Sequence, residues 1–258
     1  MMNPVEATTR PARIGRDGTR SQRPGRLASV VVEDLAREII SGNWAEGAVL
    51  PTEPVLCEEF GFSRTVIREA LKLLEERGLL RVEQGRGTTV QPREAWNLLD
   101  PVVLRLALEY DQDMSLLDNL VTVRRILERE MAVAAAGRLT EADLDDLRKN
   151  IDAAEASYDD YPRFRFYDQK FHAILMKASG NEVGRTIVAA IHTHGGARPP
   201  LSAAASRAEL ARTVAAHRGV YEALAAGDGE LAGDRISEHI DSAWAARKKV
   251  RRGPRTRR

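Results

Sequence analysis

One stretch, EEFGFSRTVIREALKLLEERG from Glu58 to Gly78, constrains this chain more than any other. Phe60-Gly61-Phe62 interrupts a short helical pattern, and Ser63 opens a second one, its hydroxyl expected to accept from a backbone N–H one turn on. Ile67, Ala70, Leu71 and Leu74 recur at i, i+3, i+4 and i+7, the stripe of a helix packed on one side. Arg64, Thr65, Arg68 and Lys72 occupy the other side, and Gly78 falls at the C′ position. Two short helices across a tight glycine turn, the second basic on its free face, read as a helix-turn-helix able to enter a DNA major groove. A plain helical hairpin with a solvated charged face would carry the same pattern.

The flanks favour the first reading. Leu79-Leu80-Arg81-Val82 alternates and is rich in strand formers, and Thr88-Thr89-Val90 can return as a second strand. Between them lies a glycine-punctuated turn that puts Gln84, Gly85 and Arg86 at the tip of a wing, placed to touch DNA backbone or minor groove. Upstream, Leu35, Ile39 and Ile40 share a helical face that stops at Gly42, and Pro51-Thr52-Glu53 starts another helix. The segment contains G-x-x-x-x-G-x-x-L-P from Gly42, S-R-x-x-[VI]-R-E-A-L from Ser63 and G-R-G-T from Gly85. On these motifs it resembles the winged helix of the GntR family of bacterial transcription regulators. The resemblance implies a double-stranded DNA operator as partner. One position departs from it: many members carry Arg after the Glu of L-P-[ST]-E, whereas Pro54 here has neither charge nor side-chain donor. A short half-site per winged helix further implies a twofold homodimer on a near-palindrome.

Length and composition fit two modest domains, since 258 residues with 43% hydrophobic content can fill real cores, and aromatics at 5% favour helices over a β-sandwich. The net charge of +1 hides an asymmetry: six Arg in residues 1–26 and eight Arg/Lys in 247–258 leave a body of 25 basic and 36 acidic side chains. Within 27–92 there are seven basic and eleven acidic residues, so DNA binding must rest on a local stripe, with the N-terminal arm as a further source of phosphate contact. Cys57, the single cysteine, excludes a disulfide framework and reads as a small buried hydrophobe. No apolar run reaches the roughly 18 residues of a membrane span. The expected setting is a bacterial cytoplasm, associated with the nucleoid when DNA is bound.

The chain therefore divides into a disordered basic tail (1–26), a winged helix-turn-helix (27–92), a connector (93–102), a helical domain (103–248) and a second basic tail (249–258). The fold class is mainly α, the C-terminal part an antiparallel bundle of six or seven helices. Helices are expected over 103–108, 116–138, from Thr140 with a capping box closed by Asp143, from Pro162 to about 179, and over 182–194, 206–226 and 229–249.

The chemistry of the bundle lies in its histidines. Asp168 and His172 sit one turn apart among Phe164, Phe171 and Leu175. His217 falls on the stripe Leu210, Val214, Tyr221, Leu224, and His239 lies between Ile236 and Ala243. Buried imidazoles and carboxylates are costly unless satisfied. Separate core histidines bonded to backbone carbonyls are one solution. A shared divalent ion is the other, and an N₃O donor set suits Zn, Ni, Mn or Fe. His194 shares a face with Ile187 and Ile191 near the same interior.

D-x-x-F-H at 168–172, S-G-N at 179–181, His217 with the following A-x-x-x-G-D, and His239 resemble the FCD effector domain of the FadR branch of the GntR family. That resemblance implies Asp168, His172, His217 and His239 as metal ligands and a small carboxylate completing the shell. It also implies Arg124, from R-x-x-x-E with Glu128, as partner of that carboxylate; Glu128 and, from its helical face alone, His194 are the further candidates for the effector site. A same-turn Arg124–Glu128 ion pair is the structural alternative. W-N-L-L-D-P-x-V-L from Trp96 and E-x-x-L-C-E-E-F from Glu53 are similar to galactonate-responsive repressors of that branch, which makes a sugar acid the expected effector and ligand-relieved repression the expected sign. The competing readings are a metal-dependent enzyme built on the Asp/His cluster, a regulator sensing a non-sugar organic acid, and an acyl sensor whose tunnel would lack the inward histidines.

Overall fold

A computed structural model describes residues 24–83, 85–195 and 206–251, and the basic tails expected at either end lie almost wholly outside it. The N-terminal unit comprises α1 (Pro24–Ile40), α2 (Glu53–Phe60), α3 (Arg64–Glu76) and an antiparallel hairpin, β1 (Leu80–Glu83) with β2 (Gly87–Val90). Gly61, in the left-handed conformation, ends α2, its N–H donating to the Cys57 carbonyl at 2.9 Å. Three residues later α3 begins, burying Val66, Ile67, Ala70, Leu71 and Leu74 against α1. Ser63 has the extended backbone of an N-cap (φ −69°, ψ 157°), but its hydroxyl makes no capping bond, contrary to expectation. An exposed helix start can satisfy its first N–H groups with water or an anion, so the cap bond is dispensable there.

Gly78 is required twice over. Its φ is +74°, and a Cβ on it would lie 2.0 Å from the Ala95 carbonyl oxygen, where the connector crosses back over the end of α3. In the hairpin Leu80 faces Val90 and Glu83 faces Gly87. Residues 48–50 add an edge not read from the sequence: Val49 bridges to Thr89, and Leu50 N–H donates to the Thr88 carbonyl at 2.8 Å. Cys57 is half-buried against this core.

After a 3-10 turn at Arg93–Ala95 comes α4 (Pro101–Glu109), capped by Asp100, whose carboxylate accepts from the Val102 and Val103 N–H groups and pairs with Arg77 at 2.9 Å. Placed by the sequence at the head of the effector bundle, α4 buries Val103, Leu104, Leu106, Ala107 and Leu108 in one core with the winged helix. Arg37–Glu109 at 2.5 Å and an Arg105–Glu33 ion pair bind it to α1.

The bundle follows: α5 (Ser115–Ala136), α6 (Glu141–Glu155), α7 (Tyr161–Ala178), α8 (Glu182–Gly195), α9 (Arg207–Ala225) and α10 (Gly229–Arg251). The capping box at Thr140 and Asp143 is present, and Ser206 with Glu209 forms another at the start of α9. α5 runs against α10, and α6 packs on α7 and α9, around a core that includes Leu147, Ile151, Phe171, Leu175, Val214 and Ile236. α8 lies against α5 and α7 on one side and against α4 on another, so it links the bundle to the winged-helix core. The fold is mainly α, as expected, with the small wing as its β-sheet. Among the described residues no helix is long and apolar enough to cross a membrane.

Candidate metal centre and nucleic-acid face

Three bundle helices bring four donors together. Asp168 and His172 come from α7, His217 from α9 and His239 from α10, and one donor atom of each lies within 4.8 Å of the others. His217 Nε2 stands 3.2 Å from His239 Nε2 and 3.6 Å from Asp168 Oδ1. Ligand atoms held about 2.1 Å from a first-row divalent ion, 90–110° apart, stand roughly 3.0–3.4 Å from one another. The His217–His239 spacing matches such an edge, the His217–Asp168 spacing is slightly longer, and no pair of the four donors exceeds 4.8 Å. Phe171 stacks on His217 at 4.0 Å between centroids and fixes that ring.

The electrostatics favour a cation. Burial, reinforced by neighbouring His239, pushes His217 well below the usual imidazole range; burial and His172 bring His239 down to about 3. Burial acts to raise Asp168, but His217, His172, His239 and Arg124 outweigh it and hold the carboxyl at about 2. His217 and His239 thus offer neutral imidazoles and Asp168 an ionised carboxylate, the protonation states a metal needs. Two imidazole Nε2 atoms at 3.2 Å cannot both point lone pairs at each other without a proton or cation to share. The residues therefore fit a divalent ion.

Behind His172 stands Glu128 of α5, fully buried. Its Oε2 lies 2.5 Å from His172 Nδ1 and its Oε1 accepts from Arg124 Nε at 2.6 Å. Burial acts to raise Glu128, but His172 and Arg124 keep it well below the ordinary carboxylate range. The same-turn ion pair weighed as an alternative for Arg124 is thus formed. Arg124 also approaches His172 Nε2 with Nη2, at 3.1 Å, and lines a cavity of 540 Å³. That cavity opens on Asp168 and His239, and Phe164, Arg212 and Arg247 are among its other walls. Glu128 is not on its wall: its carboxylate is turned to the Arg124 guanidinium and the His172 imidazole.

His192 was not singled out from the sequence. It lies on α8 with Nε2 3.3 Å from Glu128 Oε1, misaligned for a hydrogen bond, so that Nε2 is buried without a partner. The inward stripe of α8 runs through Gly184, Val188 and Ile191, and His192 is one turn beyond Val188. The side chain of His194, the expected candidate on this helix, lies outside the described residues.

On the winged helix, Arg64, Thr65, Arg68 and Lys72 are all exposed along α3. Arg68 is 3.5 Å from Glu53, and Lys72 is 3.8 Å from Glu76. Ion pairs this exposed are worth little and exchange readily for a phosphate. In the wing, Gly85 has φ +80°, and Arg86, 81% exposed, reaches within 3.6 Å of Glu83. Gln84 lies outside the described residues. Pro54 occupies the first turn of α2.

Comparison with known proteins agrees with this architecture in both halves. Residues 27–90 match the family described as "Bacterial regulatory proteins, gntR family", and residues 119–242 match the FCD domain. The chain is 31% identical over 202 residues to the galactonate operon transcriptional repressor of Escherichia coli, covering 78% of this chain and 88% of the relative. It is 27% identical to the transcriptional repressor NanR of Cronobacter sakazakii, covering 95% of each. Among solved structures, that of Lar, which controls the Listeria monocytogenes agr system, superposes with a TM-score of 0.55 at 18% identity, over 90% of this chain and all of that one, a likeness of fold.

Proposed function

Since this chain belongs to the GntR family and carries its FCD domain, and is thus a DNA-binding transcription regulator and not an enzyme, we propose that a small carboxylate at a metal centre controls its hold on DNA. The observation that carries this reading is the Asp168, His172, His217 and His239 cluster at the wall of an arginine-bearing cavity. Those side chains would hold a divalent ion, which supplies a Lewis-acidic partner for an anionic effector. The His172 Nε2 lone pair cannot serve both that ion and Arg124, so metal binding leaves the Arg124 Nη2 group for another acceptor. A carboxylate in the cavity is that acceptor, and an arginine fork suits it. Likeness to a repressor of a galactonate operon supports a sugar acid as effector and repression as the sign.

On the DNA side, Arg64, Thr65 and Arg68 read or grip the major groove, with Lys72 on phosphate and Gln84, Gly85 and Arg86 at the backbone or minor groove. The regulator acts as a homodimer. Effector binding shifts the bundle, and α8 through α4 carries the shift to α1 and the winged helix, the packed route between the two cores. A ligand moves such an equilibrium only by binding the two arrangements unequally. The test is metal analysis of the purified protein followed by thermal-shift screening of sugar acids against wild type and His217→Ala. The expected result is a stoichiometric divalent ion and an effector-dependent shift confined to wild type. A metal-free wild type, or equal shifts in both proteins, would overturn the reading.

A further inference from the structure

We infer that Glu128 is the positioning residue of the metal centre: its carboxylate fixes the His172 ring so that Nδ1 carries the proton and Nε2 presents its lone pair to the ion. The inference rests on the metal reading of the same cluster. A guanidinium can only donate, so Arg124 Nη2, 3.1 Å from His172 Nε2, finds an acceptor there, and the ring proton sits on Nδ1, 2.5 Å from Glu128 Oε2. The tautomer is thereby set, and the nitrogen left to ligate is Nε2. An anion behind the ring also makes Nε2 a stronger donor to a cation.

The surroundings hold Glu128 in this task. It is fully buried, and its other oxygen is tied to Arg124 Nε at 2.6 Å, so the carboxylate has no freedom to swing away from His172. His192, from a third helix, brings its unpartnered Nε2 to 3.3 Å of the same oxygen, and its ring meets that of His172 edge-on at 5.4 Å. One carboxylate of α5 therefore organises a ligand on α7 and has a second imidazole, on α8, within reach. Glu128 is not itself on the cavity wall, although it holds Arg124, which is; its influence on the ion passes through His172.

The test uses the full-length protein with zinc as probe. Calorimetric titration should show zinc affinity about 10- to 100-fold weaker in Glu128→Gln than in wild type. A purely structural role would not set a tautomer, so the second readout is ¹⁵N-imidazole NMR of histidine-labelled protein. In zinc-loaded wild type, His172 should show a protonated Nδ1 and a metallated Nε2. Should the Glu128 variant not fold, that wild-type spectrum decides alone: zinc on Nδ1, or no Nδ1 proton, overturns the assignment. Unchanged zinc affinity in a folded Glu128→Gln protein overturns it too, leaving the metal centre itself intact. A wild type that binds no zinc overturns the metal reading and this inference together.

Discussion

Arg68 keeps 72% of its side chain exposed, and its nearest acid, Glu53, is itself 42% exposed, so little of its worth lies in folding. Replacing Arg64 or Arg68 with Ala should leave the melting temperature unchanged and cost about 1–3 kcal/mol of operator binding where the side chain contacts a base. Anisotropy titrations showing no loss in either variant would remove α3 as the reading helix. Gly78 is the opposite case. With φ at +74° and the Ala95 carbonyl in the way of any Cβ, Gly78→Ala should destabilise the winged helix by more than about 1 kcal/mol in chemical denaturation. At this scale the residues of the candidate metal cluster were legible because His172, His217 and His239 each fall in line with buried apolar residues at helical spacing. His192 was not: Ile187, Val188 and Ile191 are all apolar and leave the phase of α8 ambiguous. Only the packed fold shows that the inward line runs through Gly184 and Val188. Distances were beyond the sequence altogether, and with them the placing of Glu128 behind His172.

Among elements, α4 has the most to explain. Nearly every side of it is apolar, and a helix apolar all round must be covered on more than one face. Its existence was readable from Pro101 and the run Val103 to Leu108, but which neighbours covered it was not. The structure places it on α1 and against α8 and α5, between the winged helix and the bundle. Its Arg105–Glu33 and Arg37–Glu109 pairs, with side chains about one-third to two-fifths exposed, contribute no more than about 1 kcal/mol each to stability. Arg105→Ala should therefore fold, bind operator and bind effector with affinities near wild type, yet respond less when both are present. Reduced coupling, read as a smaller effector-induced fall in operator affinity, is the expected outcome. Coupling equal to wild type would exclude these pairs from the route. The edge at residues 48–50 was equally hidden, because a single bridge to Thr89 leaves no alternating pattern to read.

For the whole molecule the governing facts are a reader that spans a short site and a body that is negative overall. A lone winged helix contacts a half-site only, so two copies should pair. Light scattering at micromolar concentration should give a dimer, and a strict monomer with and without operator would contradict this. Linkage then joins the two ends of the chain: an effector that lowers operator affinity must itself bind the operator complex more weakly, by the same factor. The most direct measurement is anisotropy of a labelled operator duplex at fixed salt, titrated with protein with and without the sugar acid that stabilises the wild type. The prediction is a fall in operator affinity of about 5- to 150-fold with wild type, and no response with His217→Ala or with metal-stripped protein. Operator affinity indifferent to the effector in metal-loaded wild type, or equally responsive without the metal, would contradict the account.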